Sequence, residues 1–387
     1  MLLLLAACGG GDDTGAGNAD PYVIGFQGPL SGPLGPIFGP AEDGMTDYFE
    51  YLNEQGGVNG RPVEFRSTDA GTEVARALAA TREFSLDDDV LLVTGLGLSV
   101  QMVSVLPMLE EEELPGISIT SSLAEALPYS RWYFSWGDDL PGSANSTLDF
   151  ILGEKPDAKI GYMAYDTPLI RAQRDAVRSR IEQSDATLVA DHLPPATATD
   201  VSAEMRDLID KGAEYIFFGG ATAGIFSSAM TTAQVAGFGG TIVVAAAGGD
   251  VAEFELAGSE TYEYVGARYF HSPMEEDHAG VQKMLQLSGA SPTSFYYTSG
   301  WSLAQYIGKA LEGCGADCDR ARLRDALEQV PPENPDDLAG GPLGFDDKCH
   351  QGHRSTMFFR WDAQSKKPVY DTTLPYWSDP SHPCARE

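Results

Sequence analysis

Apolar positions recur along the chain in two rhythms. Tyr22 to Phe26, Val63 to Ser67, Val90 to Thr94, Ile117 to Ile119, Lys159 to Tyr165, Leu188 to His192, Tyr215 to Gly219 and Thr241 to Ala246 are short runs dominated by apolar residues, many of them β-branched or aromatic. Between them lie stretches with helical spacing, such as Glu73 to Phe84, Leu169 to Glu182 and Ala203 to Lys211. A strand apolar on both faces and followed by a helix signals a parallel sheet covered on each side. Two such series occur, so the pattern predicts an α/β chain built as two doubly wound lobes. Trp132, Tyr133, Phe134 and Trp136 cluster in sequence and read as core, whereas the run Glu110 to Glu113 reads as a solvated face.

Composition narrows the function. The 387 residues include 57 Asp and Glu against 25 Lys and Arg, a net charge of −32. A protein that binds nucleic acid by neutralising phosphates needs a basic face, and this chain has no surplus to build one. With 43% hydrophobic residues and 10% aromatics the chain has the makings of a packed core, and at ~150 residues per domain its length suits two domains.

Residues 2 to 7, Leu-Leu-Leu-Leu-Ala-Ala, precede Cys8, and Gly9 to Asp20 are small and polar. This resembles the end of a bacterial lipoprotein signal, in which small residues fit the signal peptidase and the cysteine is acylated. No Lys or Arg precedes the apolar run. The resemblance implies a lipid anchor at Cys8, a tether over residues 1–20 and an extracytoplasmic, membrane-attached location. No later segment offers the ~20 uninterrupted apolar residues of a membrane-spanning helix.

The other four cysteines, Cys314, Cys318, Cys349 and Cys384, fall in the last quarter of the chain. In an exported chain an even set reads as disulfides, with three pairings possible. The expected pair is a local Cys314–Cys318 loop and a Cys349–Cys384 clasp that pins the Pro-rich tail. His350 and His353 beside Cys349 raise zinc as the competing idea, but the spacing matches no strong ligand pattern, so neither metal nor cofactor is expected.

Ligands of open α/β sheets bind outside the carboxyl ends of the strands, where strand order reverses. Gly95 to Ser99 follow one such strand and Thr120 to Ser122 another. A serine there caps the next helix and presents its hydroxyl and the helix's free N–H groups to an anion. The chain has no Gly-x-Ser-x-Gly elbow, no P-loop and no His-Glu-x-x-His, and no titratable group has an evident base or orienting partner, so no enzyme is expected.

The stretch Leu52 to Glu64, containing Gly-Gly-Val-Asn-Gly-Arg-Pro, resembles the periplasmic leucine/isoleucine/valine-binding proteins of ABC transporters, as do Asp69 and Gly28-Pro29-Leu30-Ser31-Gly32-Pro33. The resemblance runs from about Tyr22 to Trp361. It implies a type I periplasmic-binding-protein fold, with two Rossmann-like lobes joined by three crossovers near Asp138, Val265 and Pro342. The expected N-terminal lobe is then 21–138 with 266–342, the C-terminal lobe 139–265 with 343–375, and the tail 376–387. The implied partners are a small-molecule ligand and ABC permease subunits, with the protein acting as a monomer.

Carried over residue by residue, the resemblance places the carboxylate-binding serine on Ser99, a backbone contact on Thr120, a hydroxyl contact on Ser122 and the aromatic of the first loop on Phe38. The second half of the site departs from the family. Leu169 and Ala221 stand where it has tyrosines, and Ala246 where it has the glutamate that holds the ligand ammonium; Tyr165, Asp166 and Asp250 are the nearby substitutes. The resemblance implies capture of a carboxylate- or amide-bearing solute for an ABC permease. A ligand-sensing protein acting with a signalling receptor would share the fold, and an enzyme is the remaining alternative.

Overall fold

The computed structural model describes residues 20–119, 130–245, 249–257, 261–378, 382, 384 and 385. Its first sheet contains β1 (Tyr22–Gly28), β2 (Val63–Asp69), β3 (Val90–Gly95), β4 (Gly116–Ser118) and β5 (Tyr133–Ser135) in the order β2-β1-β3-β4-β5, every pair parallel. Every residue of β1 is buried, as expected for a strand covered on both faces. Helices α1 (Gly35–Glu54), α2 (Val74–Ser85) and α3 (Ser99–Glu111) connect these strands.

The chain then builds a second sheet. After α4 (Leu140–Glu154) come β6 (Lys159–Ala164), α5 (Pro168–Glu182), β7 (Thr187–His192), α6 (Ser202–Asp210), β8 (Tyr215–Gly220), α7 (Ala223–Ala236), β9 (Thr241–Val244), α8 (Val251–Ala257) and β10 (Glu263–Arg268). It next returns to the first lobe as α9 (Ala279–Ser288), α10 (Phe295–Cys314) and α11 (Arg320–Gln329). The last hairpin, β11 (Ser355–Asp362) and β12 (Lys367–Pro375), extends the second sheet antiparallel, giving the order β12-β11-β10-β9-β8-β6-β7. Three connections therefore pass between the lobes: one after β5, one after β10, and one between Phe345, which packs in the first core, and Ser355. Among the described residues no helix is long and apolar enough to cross a membrane.

Helix α10 is buried around nearly its whole circumference, which makes it a core helix rather than an amphipathic one. It lies so close to α1 that a Cβ on Gly44 would fall 2.2 Å from the Tyr297 carbonyl oxygen, and one on Gly300 would fall 2.0 Å from that of Ala41. The Gly-Gly-Val-Asn-Gly-Arg-Pro turn docks at the other end of α10. Asn59 Nδ2 donates to Leu311 O, and Arg61 donates to Asp20 O and Ala316 O while its guanidinium lies 4.0 Å above the Tyr22 ring. Gly57 is required there: its φ is +71°, and a Cβ would sit 2.1 Å from Arg61 O. The Trp132 to Trp136 cluster is buried and Glu110 to Glu113 are exposed, as the pattern predicts.

Both expected disulfides are present, Cys314–Cys318 and Cys349–Cys384. Just past the first, Arg320 donates to the carbonyl oxygens of Phe84, Ser85, Asp87, Val90 and Glu112, closing the ends of α2 and α3 with one guanidinium. We expect Arg320→Ala to cost about 1–3 kcal/mol, because several part-buried acceptors lose their partner together. Arg320→Lys should recover only a minor part, since a point-like ammonium cannot fork to five acceptors. Urea denaturation of both variants measures this, and full stability in the lysine variant would contradict it.

Candidate functional site

The loops that follow β1, β2 and β3 are tied together by two side chains. Asp69 Oδ1 accepts from the amides of Leu30 (3.1 Å) and Gly71 (2.9 Å), and its Oδ2 accepts from the Ser31 hydroxyl (2.6 Å). That hydroxyl and the Gly71 amide are the leading causes that hold the Asp69 carboxyl below the usual range. Gln101, wholly buried, accepts from Leu98 N (2.9 Å) and donates to Gly71 O (3.0 Å).

Between these anchors Gly95, Leu96 and Gly97 take φ values of +86°, +58° and +70°. A Cβ on Gly97 would meet Gln101 Oε1 at 2.2 Å, so only glycine fits beside the anchor. Ser99 then begins α3, whose first-turn amides have no intrahelical acceptor. Thr120 and Ser122 lie outside the described residues. Phe38 does not line an open pocket here. It is fully buried with its ring against Gly28, where a Cβ would come within 2.4 Å, so it is core beneath the first loop.

In the second lobe, β6 runs out at Ala164 and Tyr165 N donates to Gly220 O (3.2 Å). The Tyr165 ring lies beside Gly220, 3.1 Å from where a Cβ would stand, and Ala221 follows at the same edge. Burial raises the Tyr165 phenol, so it remains a neutral donor over the physiological range. Leu169 lies in the first turn of α5, and Ala246 falls outside the described residues. Asp166 is already committed: both its oxygens accept from Arg171, at 2.5 and 2.6 Å, and that pairing lowers its pKa.

Asp250 opens α8 and accepts from Ser294 Oγ at 2.7 Å. Ser294 is the N-cap of α10, so this hydrogen bond joins the lobes. Next to it, burial first and the Asp250 charge second push the Glu253 carboxyl up to about 7. The loop is positioned by Arg268, which donates to Gly249 O (3.0 Å), pairs with Glu275 and lies 3.6 Å above the Phe359 ring. Arg268, Glu253 and Ser294 escaped the sequence reading. The available signal was Arg268 itself, a cation ending an otherwise apolar run in a chain poor in cations.

The lobe connections are themselves bonded together. Ser135 N donates to His350 O (2.9 Å), Gly352 N to Ser135 O (2.7 Å) and Gln351 Nε2 to Gly137 O (2.6 Å). Beneath them the Tyr376 hydroxyl donates to Asp138 Oδ1 (2.6 Å) and lies 2.9 Å from His353 Nδ1; His353 stacks on Tyr269 with ring centroids 4.2 Å apart. His350 and His353 are thus spent on structure, and among the described residues no group of three or more His, Cys, Asp or Glu could hold a metal ion. The side chains at the strand ends offer hydroxyls, one aromatic face and carboxylates, equipment for holding a small molecule.

Burial pushes Asp138 up to about 7 and His353 down to about 3, so folding takes up a proton at one and releases one at the other. The Asp138 contribution is present below its unfolded value of 3.8 and is lost as pH rises toward about 7. The His353 contribution is present above its unfolded value of 6.5 and is lost as pH falls toward about 3. Asp138→Asn should therefore gain stability relative to the wild type as pH is raised from about 4 to about 7, read by denaturant titration at several pH values. A pH-independent difference would show that Asp138 is ionised in the native state.

Residues 21–367 match the family described as periplasmic binding protein. Over 364 residues the chain is 21% identical to the leucine-, isoleucine-, valine-, threonine- and alanine-binding protein of Pseudomonas aeruginosa, spanning 90% of this chain and 92% of that protein. A branched-chain amino acid ABC transporter protein of Thermus thermophilus, solved with bound valine, superposes with a TM-score of 0.77 at 17% identity, covering 93% of this chain and 98% of that one. An ABC transporter solute-binding protein of R. palustris in complex with 4-hydroxybenzoate gives 0.75 at 18% identity, covering 92% and 97%. These two likenesses establish the fold.

Proposed function

We propose, from the fact that the chain belongs to the periplasmic binding protein family, that it captures a small organic solute between its two lobes on the extracytoplasmic side and hands it to an ABC permease. The observation that carries this reading is the Asp250–Ser294 hydrogen bond, which brings a strand-end loop of the second sheet against the first lobe. The strand ends of both sheets then face one cleft. In this reading the N-terminal lobe is 21–138 with the helices up to about 342, and the C-terminal lobe is 139 to about 265 with the final hairpin. The crossovers act as the hinge. Scattering with a bound ligand should give a smaller radius of gyration than without it, and an unchanged radius at saturation would count against closure.

The ligand is proposed to carry a carboxylate or amide but not to be a zwitterionic branched-chain amino acid. Ser99 at the start of α3 suits the acceptor group, and Tyr165 supplies the aromatic wall. For an ammonium, however, Ala221 and Ala246 offer nothing, and Asp166 is paired with Arg171. Losing one partner of a buried charge pair costs about 2–5 kcal/mol, or roughly 30-fold to several-thousand-fold in affinity. An aromatic or aliphatic acid, an amide or a larger amino-acid derivative fits the space that small side chains leave. Calorimetry should give leucine, isoleucine and valine dissociation constants weaker than about 1 μM, whereas a thermal-shift screen of aromatic and aliphatic acids should find stabilisers. A tighter constant for any of the three amino acids would overturn the ligand class, and Asp250→Ala would then show whether that carboxylate holds the ammonium.

The anchor is proposed to be Cys8, which lies outside the described residues; the support is the Leu5-Ala6-Ala7-Cys8 sequence and the polar stretch after it. Labelled palmitate should enter the wild-type protein and not Cys8→Ser. Equal labelling of the two would sink the assignment.

A further inference from the structure

The chain does not end where the second sheet does. Beyond Pro375, the last residue of β12, it turns back to the lobe connections and grips them at two points. The first is Tyr376, wholly buried: its amide donates to Arg354 O (2.8 Å), and its ring packs where a Cβ on Gly142 of α4 would come within 2.6 Å. Its hydroxyl reaches Asp138 in the first connection and His353 in the third. The second point is Cys384, bonded to Cys349 in the third connection. The Cys384 carbonyl also accepts from Arg354 Nη1 (3.2 Å). Arg354 spends its remaining donors on Gln351 O, Asp346 Oδ2 and Cys349 O, so the third connection is folded around one guanidinium.

We propose that the C-terminal tail, held at Tyr376 and Cys384, is a strap that limits rotation of the lobes about their connections. The inference rests on the two-lobe reading above. Hinge rotation is absorbed by φ and ψ changes at a few connecting residues. Here residues 135–138 and 349–354 are those residues, and the tail bonds the two segments to each other. A bond between two connections resists their moving independently, so the strap favours one range of lobe angles. The Cys349–Cys384 bridge keeps the tail in place: opening it leaves Tyr376 and the Arg354–Cys384 hydrogen bond as the remaining holds. The second connection meets this assembly through ring contacts, Tyr269 stacked on His353 and Phe270 against His353 and Trp136.

The test needs no ligand, so it stands or falls separately from the identity of the solute. In the unliganded protein, Cys349→Ser with Cys384→Ser should raise amide exchange at Ser135 and Gly352, the two amides bonded between connections, by about tenfold or more over amides of β1 and β8. The radius of gyration should rise at the same time. Cys314→Ser with Cys318→Ser, which opens the bridge beside α10, is the control and should leave both readouts unchanged. Tyr376→Phe keeps the ring and removes both hydroxyl contacts; it should raise exchange at the same two amides by a smaller factor, and it serves where the double variant fails to fold. Equal exchange at Ser135 and Gly352 in wild type and Tyr376→Phe, or equal effects of the two double-serine variants, would overturn the proposal.

Discussion

The first lobe cannot close until a helix that follows five strands of the second sheet arrives. Helix α10 begins at Phe295, and its backbone touches that of α1 at Gly44 and Gly300, where no side chain fits. Close packing at this density tolerates little displacement, so the position of α10 is set to within a few tenths of an ångström. Because the chain must leave the first sheet, build most of the second and come back, it crosses between them, and those crossings define both the proposed hinge and the proposed cleft. The same 20-residue helix, about 30 Å long, places Ser294 at the cleft end and receives Asn59 and Arg61 at the other. Core packing thus fixes the edge of the site.

Cations are scarce in a chain with 25 Lys and Arg against 57 Asp and Glu, and the structure shows where they are used. Arg320 closes two helix ends, Arg268 holds the loop before α8, Arg354 gathers the third connection, and Arg171 occupies Asp166. The strand-end segments 28–34, 95–99, 164–167, 220–222 and 249–250 contain no Lys or Arg at all. An anionic group in the cleft would therefore be met by helix ends, backbone amides and hydroxyls. Such groups carry partial charge, typically contributing about 0.3–1 kcal/mol at a helix end, and they pay no desolvation penalty of a buried cation.

The strands were legible because a parallel sheet buried on both faces leaves unbroken apolar runs, and β1, β3 and β8 fall where those runs predict. The disulfides were legible because exported chains pair even sets of cysteines. The site was legible only in part. Asp166 reads as a free carboxylate until the helix start brings Arg171 round to it, and Phe38 reads as a cavity wall until its ring is found against Gly28. The bonding among the lobe connections had no sequence signature, since Tyr376 and Asp138 meet across a separation of 238 residues and His353 reads as a possible zinc ligand. Long-range pairings of this kind are products of tertiary packing, and no local periodicity encodes them.

The turn that carries the family resemblance is far from the proposed site. Gly57, Asn59 and Arg61 seat the carboxyl end of α10, a helix length away from Ser294, and their job is to position that end against Tyr22. Residues under that constraint report on the scaffold, because any ligand compatible with the cleft leaves them untouched. Residues at the strand ends are under the opposite constraint: Ala221, which follows the Gly220 that packs on Tyr165, can change with the solute while the sheet beneath keeps its register. Scaffold and ligand are therefore encoded at separate places in the fold, so a chain can share this fold with an amino-acid binder at 21% identity and hold a different molecule.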